Sequence, residues 1–133
     1  NSRIEFFLMQ DLKVLLFEND LGVAQLLQEV ALKYQFQIVI ENHLNNPMHI
    51  YLQDNPHVVL MDIAMGCAKD GITAMKELKK EKPNLKVLAI TGYAMVGDKE
   101  HFLKEGFDDY LAKPFEIEKL IEVLKKWHNK KAL

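Results

Sequence analysis

The sequence has little of what marks several large protein classes. It holds one cysteine, Cys67, so an internal disulfide framework is impossible, and its five histidines lack zinc-site spacing. A reducing, cytoplasmic compartment suits that usage. No apolar run approaches the ~20 residues that a membrane-spanning helix needs. The net charge of −2 leaves no basic field for direct nucleic-acid binding. Lys125, Lys126, Lys130 and Lys131 do gather near the C-terminus, where they fit a solvated last helical turn favoured by the helix dipole. No linker, low-complexity stretch or internal repeat interrupts the 133 residues, the size of one ordinary domain. The opening Asn1–Leu8 is short and carries Glu5 among its apolar residues, unlike a signal peptide. Residues 1–10 read as an N-terminal extension, or as residues added ahead of a native start at Met9, and residues 11–131 as the single domain.

What is present is a regular alternation of short apolar runs and amphipathic stretches. Val14–Phe17 is a continuous apolar run, as expected of a strand covered on both faces. Asp20 reads as the N-cap of a helix with Val23, Leu26, Leu27, Val30 and Ala31 at helical spacing. Phe36–Ile40 reads as a second strand. Asn46-Pro47 reads as a cap followed by a proline in the first helical position, opening a helix to about Asp54. Val58–Met61 is a third strand ending at Asp62. A helix over 72–82 is stopped by Pro83, Leu85–Ile90 is a fourth strand, and a helix over 97–105 ends at Gly106. Tyr110–Ala112 and a long helix from Glu116 to about Lys130 complete five βα repeats. Such repeats predict an α/β fold, a doubly wound parallel sheet with helices on both faces.

Ligands of an open parallel sheet bind beyond the carboxyl ends of its strands. The residues there are Glu18 and Asn19 after the first strand, Asp62 after the third, Thr91 after the fourth and Lys113-Pro114 after the fifth. Two carboxylates from neighbouring strands suit a hard cation such as Mg²⁺ or Mn²⁺. A carboxylate can act as a nucleophile toward phosphorus and give an acyl phosphate. A lysine adds a point charge for phosphate oxygens, and a threonine hydroxyl can donate to the same group. A lone Asp after a strand is usually a turn residue. The joint occurrence of these four residue types, each ending its own strand, makes a phosphoryl-acceptor site centred on Asp62 the better reading.

At this point the chain resembles the receiver domains of two-component response regulators, free-standing or attached to hybrid kinases. The resemblance is carried by Val14–Asn19, Val59–Met65, Asp70-Gly71, Ala89–Ala94 and Gly106–Phe115. It implies a flavodoxin-like three-layer sandwich with strand order 2-1-3-4-5. It implies that Asp62 accepts a phosphoryl group from a sensor histidine kinase or a histidine phosphotransfer protein. Glu18, Asp62 and the backbone carbonyl of Ala64 would ligate Mg²⁺, and Asn19 would orient a metal-bound water. Lys113 would pair with the phosphate, across a cis bond to Pro114. Thr91 and Tyr110 would form the switch, and the surface of the fourth helix, fifth strand and fifth helix would meet a downstream target or a second copy. A domain of this kind is no conventional enzyme. At most it phosphorylates itself from small phosphodonors and dephosphorylates itself.

Two departures from the family pattern stand out. Asn19 replaces a second acid after the first strand, which implies weaker Mg²⁺ binding. Gly66 replaces a proline after Asp62, and Asp70-Gly71 arrives one residue late, which implies a longer and more mobile loop that also holds Cys67. Ala64 and Tyr93 occupy the positions that tune the lifetime of the acyl phosphate. Ala64 offers nothing to position water, and Tyr93 is bulky enough to shield the phosphoryl group, so slow self-dephosphorylation is expected. Asn19 alone favours a competing reading, a pseudo-receiver that binds partners without phosphorylation. A nucleotide or flavin enzyme is disfavoured because Glu18–Gly22 carries no glycine-rich phosphate loop.

Overall fold

The computed structural model describes residues 9–66, 70–92 and 95–128. The elements run β1 (Lys13–Phe17), α1 (Leu21–Tyr34), β2 (Gln37–Glu41), α2 (Pro47–Asp54), β3 (Val58–Asp62), α3 (Gly71–Glu81), β4 (Lys86–Thr91), α4 (Asp98–Glu105), β5 (Asp109–Ala112) and α5 (Ile117–His128). The five strands form one sheet in the order β2-β1-β3-β4-β5, and every pairing is parallel. Boundaries differ from the sequence expectations by one or two residues, the usual uncertainty of element ends.

The period-2 geometry of β1 explains the two-sided core. Val14 and Leu16 point into a layer formed with Leu27, Val30 and Ala31 of α1 and Leu120, Val123 and Leu124 of α5. Leu15 and Phe17 point the other way, into a layer with Ile50 and Tyr51 of α2, Ala74, Met75 and Leu78 of α3, and Phe102 of α4. β3 is buried along its whole length, which accounts for its unbroken apolar run.

The caps follow local chemistry with one exception. Asp20 accepts from the N–H groups of Gly22 and Val23, and Asp70 accepts from Thr73 N–H, so α1 and α3 both begin on an aspartate. Asn46 does not cap α2 with its side chain. It sits in the left-handed region at φ 49°, and Pro47 starts the helix. Asn46 is thus the N-cap, as expected, and it caps through its backbone carbonyl, which accepts from His49 and Ile50 N–H. Gly106 ends α4 at φ 125°, where a side chain would be strained.

Candidate functional site

The site is assembled at the carboxyl ends of β1, β3, β4 and β5. Register sets Phe17 beside Met61 and Asp62 beside Ile90, so Glu18 and Asp62 leave adjacent strands at nearly the same height. Thr91 pairs with Ala112, and Lys113 N–H donates to the Thr91 carbonyl at 2.6 Å. Glu18, Asp62 and Thr91 are each at most 5 % exposed, so the acids meet in a poorly solvated place. The Lys113-Pro114 bond is cis, as the resemblance implied.

Lys113 organises the charges. Its ammonium lies 2.6 Å from Glu18 Oε2 and 3.2 Å from Asp62 Oδ2. Asp62 Oδ2 accepts a hydrogen bond from it, whereas Glu18 Oε2 is held by charge alone, without the angles of a directed bond. Glu18 Oε1 accepts from Asp20 N–H at 3.0 Å, and Asp62 Oδ1 accepts from Ala64 N–H at 3.0 Å. Burial pushes the Glu18 carboxyl above its ordinary range, reinforced by the Asp62 carboxyl beside it. Burial pulls the Lys113 ammonium down, but Glu18 and Asp62 outweigh it and the net direction is up. The site therefore carries more negative charge than one lysine balances.

That imbalance bears on metal binding. The two carboxylates are hard oxygen donors, the kind Mg²⁺ accepts. Glu18 Oε2, buried and without a directed partner, is the kind of atom a cation would satisfy. The residues present fit such an ion.

The remaining sequence candidates divide. Asn19 lies next to this cluster, but its amide donates to the Met65 carbonyl on the loop after β3. Tyr110 is half-buried, with its ring stacked on Phe102 at 5.8 Å between centroids. Cys67 and Tyr93 lie outside the described residues, as do Lys130 and Lys131. Gly66 has φ +73°, the conformation its substitution for proline allows. Gly71, which the sequence reading placed at the end of the loop and within the resemblance, has a steric role. A Cβ there would stand 2.9 Å from the Asp62 carbonyl oxygen, so α3 can begin against the acceptor strand only on a glycine. The Asp70-Gly71 spacing was the available signal.

Two grooves lie on this half of the molecule, one apolar and one lined largely by charged side chains. A groove of about 340 Å³ beside Lys113 is lined by Val23, Leu26, Gly92, Pro114 and Phe115. A larger one, about 680 Å³, lies between Lys99 of α4, Tyr110–Ala112 of β5 and Lys119, Glu122 and Lys126 of α5. Among the described residues no helix is long and apolar enough to cross a membrane.

Comparison with known proteins points one way. The sequence pattern of the response regulator receiver domain matches residues 14–125. The regulatory protein AtoC of Escherichia coli is 31 % identical over 108 residues, 81 % of this chain but 23 % of AtoC. A hybrid signal transduction histidine kinase of Dictyostelium discoideum is 32 % identical across 84 % of this chain and 7 % of its own length. The chain thus spans about a quarter or less of these relatives. Sporulation initiation phosphotransferase F of Bacillus subtilis is 27 % identical and is matched over 95 % of its length. In structure, the receiver domain of the Francisella response regulator 1452 superposes with a TM-score of 0.81 at 27 % identity, covering 90 % of this chain and 98 % of that one.

Proposed function

The chain belongs to the response regulator receiver domains of two-component signalling, and on that premise we propose that Asp62 accepts a phosphoryl group from a phosphohistidine of a sensor kinase or phosphotransfer protein. The carrying observation is that Glu18, Asp62 and Lys113 converge within hydrogen-bond distance in a buried cleft with excess negative charge. An Asp62 carboxylate oxygen attacks phosphorus, the P–N bond to the donor imidazole breaks, and the imidazole departs with a proton from water. The product is an acyl phosphate on Asp62.

Glu18, Asp62 and the Ala64 carbonyl would hold a Mg²⁺ or Mn²⁺ ion, which when bound offsets charge between the carboxylates and the incoming phosphate. The chain's own groups do the rest. Lys113 is already paired with Asp62 and can shift its ammonium to a phosphate oxygen with little reorganisation. Thr91, at the end of β4, would donate its hydroxyl to the same group, and Tyr110 would respond on the neighbouring strand. The apolar groove beside Lys113 supports a protein donor, whose surface would cover Val23, Leu26 and Phe115. The groove between α4, β5 and α5 supports an output face for a downstream target or a second copy. Such a domain acts in the cytoplasm, where phosphoryl donors and Mg²⁺ are supplied.

Incubation with acetyl phosphate and Mg²⁺, followed by intact mass, tests this reading. One added phosphoryl group that is absent from Asp62→Asn is expected. No gain in the wild type would instead favour a phosphorylation-independent interaction module, the reading to which Asn19 lends support.

A further inference from the structure

Asn19 follows Glu18 directly, yet the structure does not turn it toward the carboxylates. Its Nδ2–H donates to the carbonyl of Met65, 46 residues away on the loop after β3. The acceptor fixes the amide's orientation, because a carbonyl can only receive a hydrogen bond. An aspartate in this place would set two acceptors against each other.

The partner loop follows Asp62, and its described residues are held at three points. The Met65 side chain is buried in the layer formed with α2, α3 and α4. The Ala64 N–H is held by Asp62 Oδ1. The Met65 carbonyl is held by Asn19. Gly66 then leaves the loop at φ +73°, without the rigidity a proline would add. This hydrogen bond joins the loop to the turn after β1.

We infer that Asn19 is a positioning residue, which fastens the loop after Asp62 in the cation-free protein through the Met65 carbonyl rather than by holding water on a metal ion. The inference rests on the reading of Asp62 as the reacting centre. It explains how a loop with glycine in place of proline keeps Ala64 near the acceptor, since a cross-loop hydrogen bond supplies the constraint that the backbone lacks.

Amide hydrogen exchange on the intact chain, without divalent cation or phosphodonor, tests it. The reporter is the Ala64 N–H, and Leu60 in β3 is the control. Asn19→Ala should speed Ala64 exchange about fivefold, the effect of one net hydrogen bond, and leave Leu60 unchanged. Asn19→Asp should speed it at least as much. Unchanged Ala64 exchange in Asn19→Ala would overturn the proposal. Because neither donor nor cation is used, failure of Asp62 to take up phosphate leaves this measurement standing.

Discussion

Buried acids occupy both ends of the sheet, and the two ends treat them differently. At the amino end of β5, Asp109 accepts from Trp127 Nε1–H at 2.8 Å and from Tyr110 N–H at 2.9 Å, with Lys126 at 3.6 Å. Its neighbour Asp108 takes Lys79 at 2.7 Å and Val87 N–H at 2.9 Å. Burial works to raise the Asp109 carboxyl, but those donors and cations prevail and hold it below its ordinary range. At the carboxyl end, Glu18 and Asp62 share one lysine, Glu18 Oε2 lacks a directed partner, and the Glu18 carboxyl moves up. An acid with a full set of donors fastens elements together. A pair with charge left over is poised for a ligand.

The largest expected difference between the ends is kinetic. Lys113→Met should slow acyl-phosphate formation from acetyl phosphate about a hundredfold, as loss of a preorganised charge does. A rate equal to the wild type would make Lys113 a structural counter-ion like Lys79 and erase the contrast.

Asp109→Asn should cost about 2 kcal/mol in urea unfolding, because the carboxamide has one acceptor oxygen for the two donors of Tyr110 and Trp127. Its phosphorylation rate should stay that of the wild type. The sign with pH follows from the lowered carboxyl. The stabilisation is full above the ordinary Asp value of about 4 and disappears as pH falls through the lower native value. Acid should therefore narrow the gap in unfolding midpoint between wild type and variant, and a gap that widens in acid would refute the assignment.

Asn19→Asp adds a third acid to the charge-rich end, and its effect is the smallest. The cation-free protein should lose about 1 kcal/mol of stability from like-charge crowding, while Mg²⁺ affinity by calorimetric titration should rise about tenfold. An unchanged affinity would show that the site's charge count does not govern metal binding.

Most of the fold was legible in the chain because its signals are local. The unbroken run at Val58–Met61 announces a strand buried on both faces, and Asp20 announces a helix start. Asn46-Pro47 announced the start of α2 correctly, but not that Asn46 would sit at φ 49° and make no capping bond with its side chain. The site was legible in part: strand-end positions singled out Glu18, Asp62, Thr91 and Lys113. The direction of the Asn19 amide was hidden, since its acceptor is a backbone carbonyl on another loop and carbonyls carry no sequence identity.

Residue type and period by themselves determined that this chain forms five βα units and that its acids, threonine and lysine end separate strands, because each of those facts depends on neighbours a few residues apart. Tertiary structure alone decided that Lys113 balances Glu18 and Asp62 incompletely, that Gly71 must lack a side chain, and that Asn19 holds a loop. Each of these depends on distances between segments far apart in the chain, and those distances exist only once the parallel sheet has aligned its strands.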